Sequence, residues 1–240
     1  MNGVTVRAPG RAGRFALRPV SPTGWWPDLV LLAGFVAVTG SLALAPVRSL
    51  DLAVRDLPDA HRPDWAENTA ELVTRFGSGG LLAAAALLIA VAVALVRRSP
   101  WPIAPVVAAF LLSGVVIQPL KLLFHRAAPH STLPDDVEVR LFSQPGGLSY
   151  PSGHAVNTIV WYGLICLLLA PWLRPKLRTW VRWVPPIVVG FTATYLGYHW
   201  LTDMFAGLCL GVLIDRAIAR TPWPAVHPEH LHPMTTTTSP

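Results

Sequence analysis

His199 and Asp203 stand four residues apart in the stretch HWLTD, a spacing that puts both on one helix face, where the carboxylate can meet the imidazole. An Asp that accepts the Nδ1 proton leaves Nε2 with a free lone pair, so such a pair can orient a histidine that is itself a nucleophile. A hydrogen-bonded pair at a membrane interface has the same pattern. The stretch YPSGH, residues 150–154, offers complementary parts. Pro151 and Gly153 set a tight turn, and the apolar run after it makes this a helix N-terminus. There the backbone N–H groups, the dipole and the Ser152 hydroxyl suit an anion, although PSG alone is equally a capping turn. His154 is placed to donate a proton to a departing oxygen. Lys121, opening the stretch KLLFHRAAP, offers a point charge to a phosphate, or simply reaches to the interface as lysines at the end of apolar runs do. Together the stretches hold a nucleophile, its orienter, a general acid and an anion cradle.

The elements that must position these groups are membrane helices. The chain has 240 residues, 52% hydrophobic and only 13% charged, too few charges for the surface of a soluble globule. Spanning a bilayer takes roughly 20 apolar residues as helix. Leu29–Val47, Gly77–Val96 and Ser99–Leu120 contain no Asp, Glu, Lys or Arg and predict three spans. His154–Leu173 is equally free of them, Trp183–Tyr198 is a shorter run weakened by Pro185 and Pro186, and Leu201–Ala219 is a sixth run that carries Asp203, Asp215 and Arg216. The first run could be read as a secretory signal cut after Ala43-Leu44-Ala45, but it is long for one and Pro46 follows directly.

Basic residues orient these spans, because cytoplasmic loops are enriched in Lys and Arg. Twelve of the nineteen lie before the first span, after the second, between the fourth and fifth, and after the sixth. The opposite segments hold most of the acids. Both termini are therefore expected in the cytoplasm, and the three reactive stretches all fall on the outer side. The formal charge of +6 thus reflects topology and contact with a bilayer, not a nucleic-acid partner. The expected organisation is a basic cytoplasmic segment over 1–27, a six-helix membrane domain over 28–220, and a disordered cytoplasmic tail rich in Pro, Thr and His over 221–240. The outer segment from Arg48 to Arg75 is amphiphilic and reads as an interfacial or an exposed loop. Cys166 and Cys209 fall inside apolar runs, and neither a disulfide framework nor a metal site can be read from them.

The order Lys…Pro, PSGH and then HxxxD within YLGYHWLTDMFAG resembles the type 2 phosphatidic acid phosphatase (PAP2) superfamily of membrane lipid phosphatases, over roughly Arg48 to Arg220. The resemblance implies an all-α, polytopic membrane protein with a six-transmembrane-helix bundle of PAP2 type and a site near the membrane surface. It implies that His199 forms a phosphohistidine, that Asp203 orients it, and that His154 protonates the leaving alcohol and then activates water. Lys121, Ser152 and Gly153 would hold phosphate oxygens, with no metal and no cofactor. Two positions depart from the family pattern. Ala128 stands where the first motif usually has Arg before its final Pro, and Thr192-Ala193 where the third usually has Ser-Arg. A charged hydrogen bond contributes about 1.5–3 kcal/mol, so two absent arginines need compensation. At about 100° per residue His125 shares the helix face of Lys121, whereas Arg126 turns toward the site only if the helix breaks before Pro129. His125, Arg126 or both are expected to replace part of the clamp.

The function expected is hydrolysis of a phosphomonoester or diphosphate of a lipid, such as phosphatidic acid, phosphatidylglycerophosphate or a polyprenyl diphosphate, on the outer side of a bacterial cell membrane. A phosphotransferase using an alcohol acceptor and a non-catalytic lipid-phosphate binding or transport protein are the alternatives.

Overall fold

The computed structural model describes residues 24–221 and 223. The expected basic segment over 1–27 and tail over 221–240 therefore lie almost wholly outside the described residues. All regular structure among the described residues is helical: α1 (Trp26–Ser41), α2 (Ala45–Asp59), α3 (Asp64–Arg75), α4 (Gly79–Arg97), a 3₁₀ turn (Trp101–Ile103) leading into α5 (Ala104–Phe124), α6 (Asp135–Glu138), α7 (Gly153–Leu168), α8 (Pro175–Tyr195) and α9 (Leu201–Arg220).

The apolar runs of the sequence become α1, α4, α5, α7, α8 and α9, and two of them, the first and the fifth, change their bounds most. The first run does not continue to Val47: the chain breaks after Ser41, and α2 leaves at 90° to α1. No charge marks this bend, so hydropathy reads through it. The fifth run is longer than its uncharged part, since α8 begins at Pro175 and continues through Pro185 and Pro186. Its basic first turns are helical because Lys and Arg at a span end can extend their stems along apolar surface to the interface. By length and composition α4 and the stretch Trp101–Phe124 each suffice to cross a membrane, and the bent α1–α2 pair counts as a third if it is one span.

The segment from Arg48 to Arg75 is not a loop but most of α2 together with α3. Along α2, Val47, Asp51, Val54 and Pro58 recur at helical spacing, and Asp51 is its one fully buried residue. In α3, Asp64 and Glu67 sit in the first turn and Arg75 in the last, each complementing the helix dipole.

Helix α7 forms the axis of the bundle. Its Val156, Val160, Trp161 and Leu164 are buried against Leu82 and Ala86 of α4, Ala109 and Ile117 of α5, and Leu210 and Ile214 of α9. Gly207 and Gly211 bring α9 onto α7: an ideal Cβ on Gly207 would lie 2.6 Å from the Ser152 carbonyl oxygen, and one on Gly211 3.1 Å from Val156 Cα. The outward faces are apolar, with Leu88, Phe110, Val115 and Phe191 all strongly exposed, as suits contact with lipid. At the end away from YPSGH, Arg216 and Arg220 both pair with Asp28, and Arg182 pairs with Asp215. Trp223 donates its indole N–H to the Ile218 carbonyl at 2.8 Å, so the chain stays on the bundle just past α9.

Candidate active site

The three stretches meet at one end of the bundle. YPSGH opens α7, HWLTD forms the turn into α9, and Lys121 lies in the last turn of α5. Tyr150 anchors the first of these. It is wholly buried, packs edge-on against Phe124 at 5.2 Å, and shares a 2.6 Å hydrogen bond with Thr39 of α1. Burial pushes its phenol up to about 12.

His154 and His199 face each other, with ring centroids 5.3 Å apart and planes at 70°. Tyr198 stacks on the other side of His154 at 6.3 Å. Gly77, in the α3–α4 turn, backs the same ring, since an ideal Cβ there would lie 3.2 Å from His154 Cδ2. His199 Nδ1 lies 3.5 Å from Asp203 Oδ2 and 3.4 Å from Ser149 Oγ. Ser149 donates to the same Asp203 oxygen, so hydroxyl and carboxylate together address the Nδ1 edge. Asp203 Oδ2 also accepts the Trp200 N–H at 3.1 Å, which fixes the carboxylate over the first turn of α9. Nε2 of His199 is left without a protein hydrogen bond among the described residues.

The anion cradle is built mainly from backbone and lysine. Ser152 is completely enclosed, and its hydroxyl accepts the Ala155 N–H at 3.3 Å, the ordinary work of a helix N-cap. Its own N–H goes to the Asp203 carbonyl at 3.0 Å. The unclaimed donors of this turn are thus the N–H groups of Gly153 and His154. Lys121 lies beside them: an ideal Cβ on Gly153 would be 3.8 Å from Lys121 Cε, and the ammonium donates to the Leu148 carbonyl. Asn157, one turn below His154, borders the same space between Gly153 and Gly79.

Neither expected substitute for the arginine clamp lies where a clamp must be. Helix α5 does break before Pro129, at His125, which takes a left-handed φ of +43°. The His125 ring turns onto the following loop, where Nδ1 accepts the Gly146 N–H at 3.2 Å. Arg126 is carried into the interior behind Asp203, with no exposed surface. Its Nε and Nη2 donate to the Val139 carbonyl at 3.1 and 2.7 Å, and Nη2 also to Asp51 Oδ2 at 2.7 Å. Nη1 donates to Thr202 Oγ1 at 2.7 Å and Asp203 Oδ1 at 2.6 Å. A guanidinium has five N–H donors, and these bonds use every one. Arg126 is therefore a hydrogen-bond partner of Asp203, with no donor left over for a phosphate. Of the two replaced arginine positions, Ala128 is exposed and Ala193 is fully enclosed with Ala155 and Met204; beside Ala193, Thr192 bonds Thr74 at 2.8 Å.

Ser149, Asp51 and Thr202 belong to this assembly without having been singled out in the sequence. Thr202 bonds Asp51 twice, its hydroxyl donating to Oδ2 at 2.6 Å and its N–H to Oδ1 at 3.0 Å. Asp51 had one legible signal, its place on the apolar stripe of an amphiphilic segment. Ser149 had none beyond adjacency to YPSGH. Among the described residues no three His, Cys, Asp or Glu side chains group as metal ligands. What the arrangement can do is present a lone pair on one imidazole and a proton on another to a tetrahedral anion held by Lys121 and a helix N-terminus.

Comparison with known proteins gives the family. The family model for the PAP2 superfamily matches residues 102–226. Phosphatidylglycerophosphatase B of Bacillus subtilis is 23% identical over 185 residues, covering 75% of this chain and 87% of that protein. Lipid A 4'-phosphatase of Porphyromonas gingivalis is 28% identical over 131 residues, covering 49% of this chain and 54% of its own. An undecaprenyl-diphosphatase of Sulfolobus acidocaldarius is 38% identical over 72 residues, 30% of this chain and 32% of that one. The crystal structure of a transmembrane PAP2 type phosphatidylglycerolphosphate phosphatase from Bacillus subtilis superposes with a TM-score of 0.69 at 22% identity, over 81% of this chain and 94% of that one. The all-helical fold and the apolar helices are those of an integral membrane protein, and the match over more than half of its length places the chain in the PAP2 superfamily.

Proposed function

We propose that this chain is a membrane lipid-phosphate phosphatase that hydrolyses a phosphomonoester or diphosphate through a phosphohistidine at His199. The observation that carries the reading is the facing pair His154 and His199, with Asp203 behind the second ring and Lys121 beside the first turn of α7.

The His199 Nε2 lone pair attacks phosphorus, and the bond from phosphorus to the lipid oxygen breaks. His154 gives that oxygen its proton, so the alcohol, or the lipid monophosphate from a diphosphate, leaves neutral at the cleaved position. Water then attacks the phosphohistidine, His154 takes its proton, and the P–N electron pair returns to Nε2. Asp203 fixes the Nδ1–H tautomer and stabilises the positive charge that grows on the ring. Lys121 and the N–H groups of Gly153 and His154 meet the negative charge on the equatorial oxygens. No step calls on a metal.

The three relatives act, by their names, on phosphatidylglycerophosphate, lipid A and undecaprenyl diphosphate. They share a lipid-borne phosphate, and that is the substrate class assigned here. The charge asymmetry of the loops supports six spans with both termini in the cytoplasm of a bacterial cell and the site on the extracytoplasmic side.

The test is phosphate release by the purified chain in detergent from phosphatidic acid, phosphatidylglycerophosphate and a polyprenyl diphosphate, with His199→Ala as control. The reading requires release from at least one lipid and a loss of about 10⁴-fold or more in the variant. Release only in the presence of an added alcohol identifies a phosphotransferase. A wild-type chain inactive on every lipid leaves the non-catalytic binder, the reading that the two absent arginines favour.

A further inference from the structure

Asp51 lies outside the matched stretch 102–226 and outside all three motifs, yet it reaches the centre of the site. It is 1% exposed and comes from α2, the helix that turns 90° away from α1. Its carboxylate accepts the Thr202 N–H, the Thr202 hydroxyl and Arg126 Nη2. Two of these bonds fix the first turn of α9, where the helix dipole favours an anion. The third ties down the guanidinium whose other arm holds Asp203 Oδ1.

We propose that Asp51 and Arg126 are positioning residues of the phosphoryl-transfer site: Arg126 holds Asp203 in place behind His199, and Asp51 holds Arg126 and supplies its counter-charge. The inference rests on the phosphatase reading above. Charge balance gives Asp51 its purpose. With Asp203 as its only counter-ion, Arg126 would neutralise the carboxylate that has to stabilise a growing positive charge on the imidazole. With Asp51 on its far side, the three groups carry one net negative charge in an enclosed setting where such interactions are strong. Removing either acid brings the cluster to zero net charge and leaves one buried N–H of Arg126 without its acceptor, an arrangement that is costly. The cluster also explains why Arg126 cannot double as a clamp, since no donor is free to turn toward phosphate. Trp200 packs its ring against the same guanidinium at 5.2 Å and donates to the Ala127 carbonyl at 2.9 Å, closing the cluster from the turn that carries His199.

A positioning role and a phosphate-binding role give opposite kinetics. Asp51→Asn, Thr202→Val, Arg126→Lys and Arg126→Met are compared with wild type in the full chain in detergent. The readouts are kcat, KM, competitive inhibition by inorganic phosphate, and the thermal midpoint. Asp51→Asn and Arg126→Lys are expected to lower kcat about 10–100-fold, and Thr202→Val less, while KM and the phosphate inhibition constant stay within about threefold of wild type. If Arg126→Lys instead weakens phosphate inhibition tenfold or more with kcat retained, Arg126 is a clamp and the proposal fails. Wild-type kcat in Asp51→Asn and Thr202→Val, with only a lowered midpoint, makes the cluster merely structural and overturns it as well. Should Arg126→Met not fold, these two milder variants decide the matter. A wild-type chain that releases phosphate from no lipid overturns the phosphatase reading and this inference together, whereas an active wild type with either contrary pattern overturns the inference alone.

Discussion

The rings of His154 and His199 meet edge to face at a centroid separation of 5.3 Å, although one residue opens α7 and the other ends the α8–α9 turn. The two are brought together by close contact of α7 with α9 at Gly207 and by the bond from the Ser152 N–H to the Asp203 carbonyl at 3.0 Å. The proposed mechanism needs this closeness, since one phosphoryl group has to meet both rings.

If His154 is the proton donor, its loss matters most when the leaving oxygen is a poor leaving group. His154→Ala is expected to lower kcat about 10²–10⁴-fold on a lipid phosphate. On p-nitrophenyl phosphate, whose phenolate leaves unaided, the loss of the phosphorylation step should be at least tenfold smaller. Stopped-flow release of p-nitrophenol measures that step, and equal losses on both substrates would remove His154 from the role.

Lys121 is the charged side chain seated beside Gly153, and its effect should appear in anion affinity. Lys121→Gln is expected to weaken competitive inhibition by inorganic phosphate about 10–100-fold, the equivalent of one charged hydrogen bond. This is the reverse of the pattern expected for Arg126. An unchanged inhibition constant assigns Lys121 to the Leu148 carbonyl alone.

Ser149 bonds the Asp203 oxygen that addresses His199. Ser149→Ala removes that donor from an enclosed carboxylate, at a cost of about 1.5–3 kcal/mol in stability. The thermal midpoint in detergent should fall and kcat should drop about tenfold, with KM nearly unchanged. Full activity with an unshifted midpoint refutes the assignment.

At Gly207 the limit is space. An added methyl group meets the Ser152 carbonyl oxygen at 2.6 Å and Ala155 Cβ at 2.9 Å, so Gly207→Ala has to part α9 from α7. Overpacking of this kind costs about 1–3 kcal/mol. Because Ser152 and Asp203 sit on the two separated helices, turnover should fall along with the midpoint. A stable, fully active Gly207→Ala protein contradicts the close approach.

Much of this could be read in the residues themselves. Uncharged runs located α4, α5 and α7 to within about five positions, because a long apolar helix and the absence of Asp, Glu, Lys and Arg are one requirement in lipid, and α9 was found as an apolar run in spite of Asp203, Asp215 and Arg216. Charge gave the wrong end for α8, whose basic first turns are helical, and could not mark the bend between α1 and α2. In the site, His154, His199, Asp203 and Lys121 gather as their motifs implied. Asp51, Thr202 and Ser149 join the cluster through tertiary contacts, of which only the burial of Asp51 shows in the spacing of the sequence. Arg126 shows where periodicity stops helping: one left-handed residue at His125 ends the helix and sends the next side chain inward.

The bend after Ser41 also limits what can be cut away. A fragment starting at residue 102 keeps every signature of the family but leaves behind α2, and with it the acid on which Arg126 leans. Such a fragment would carry the recognisable parts of the machine without their ballast, so grafts between relatives should travel with their own amino-terminal helices.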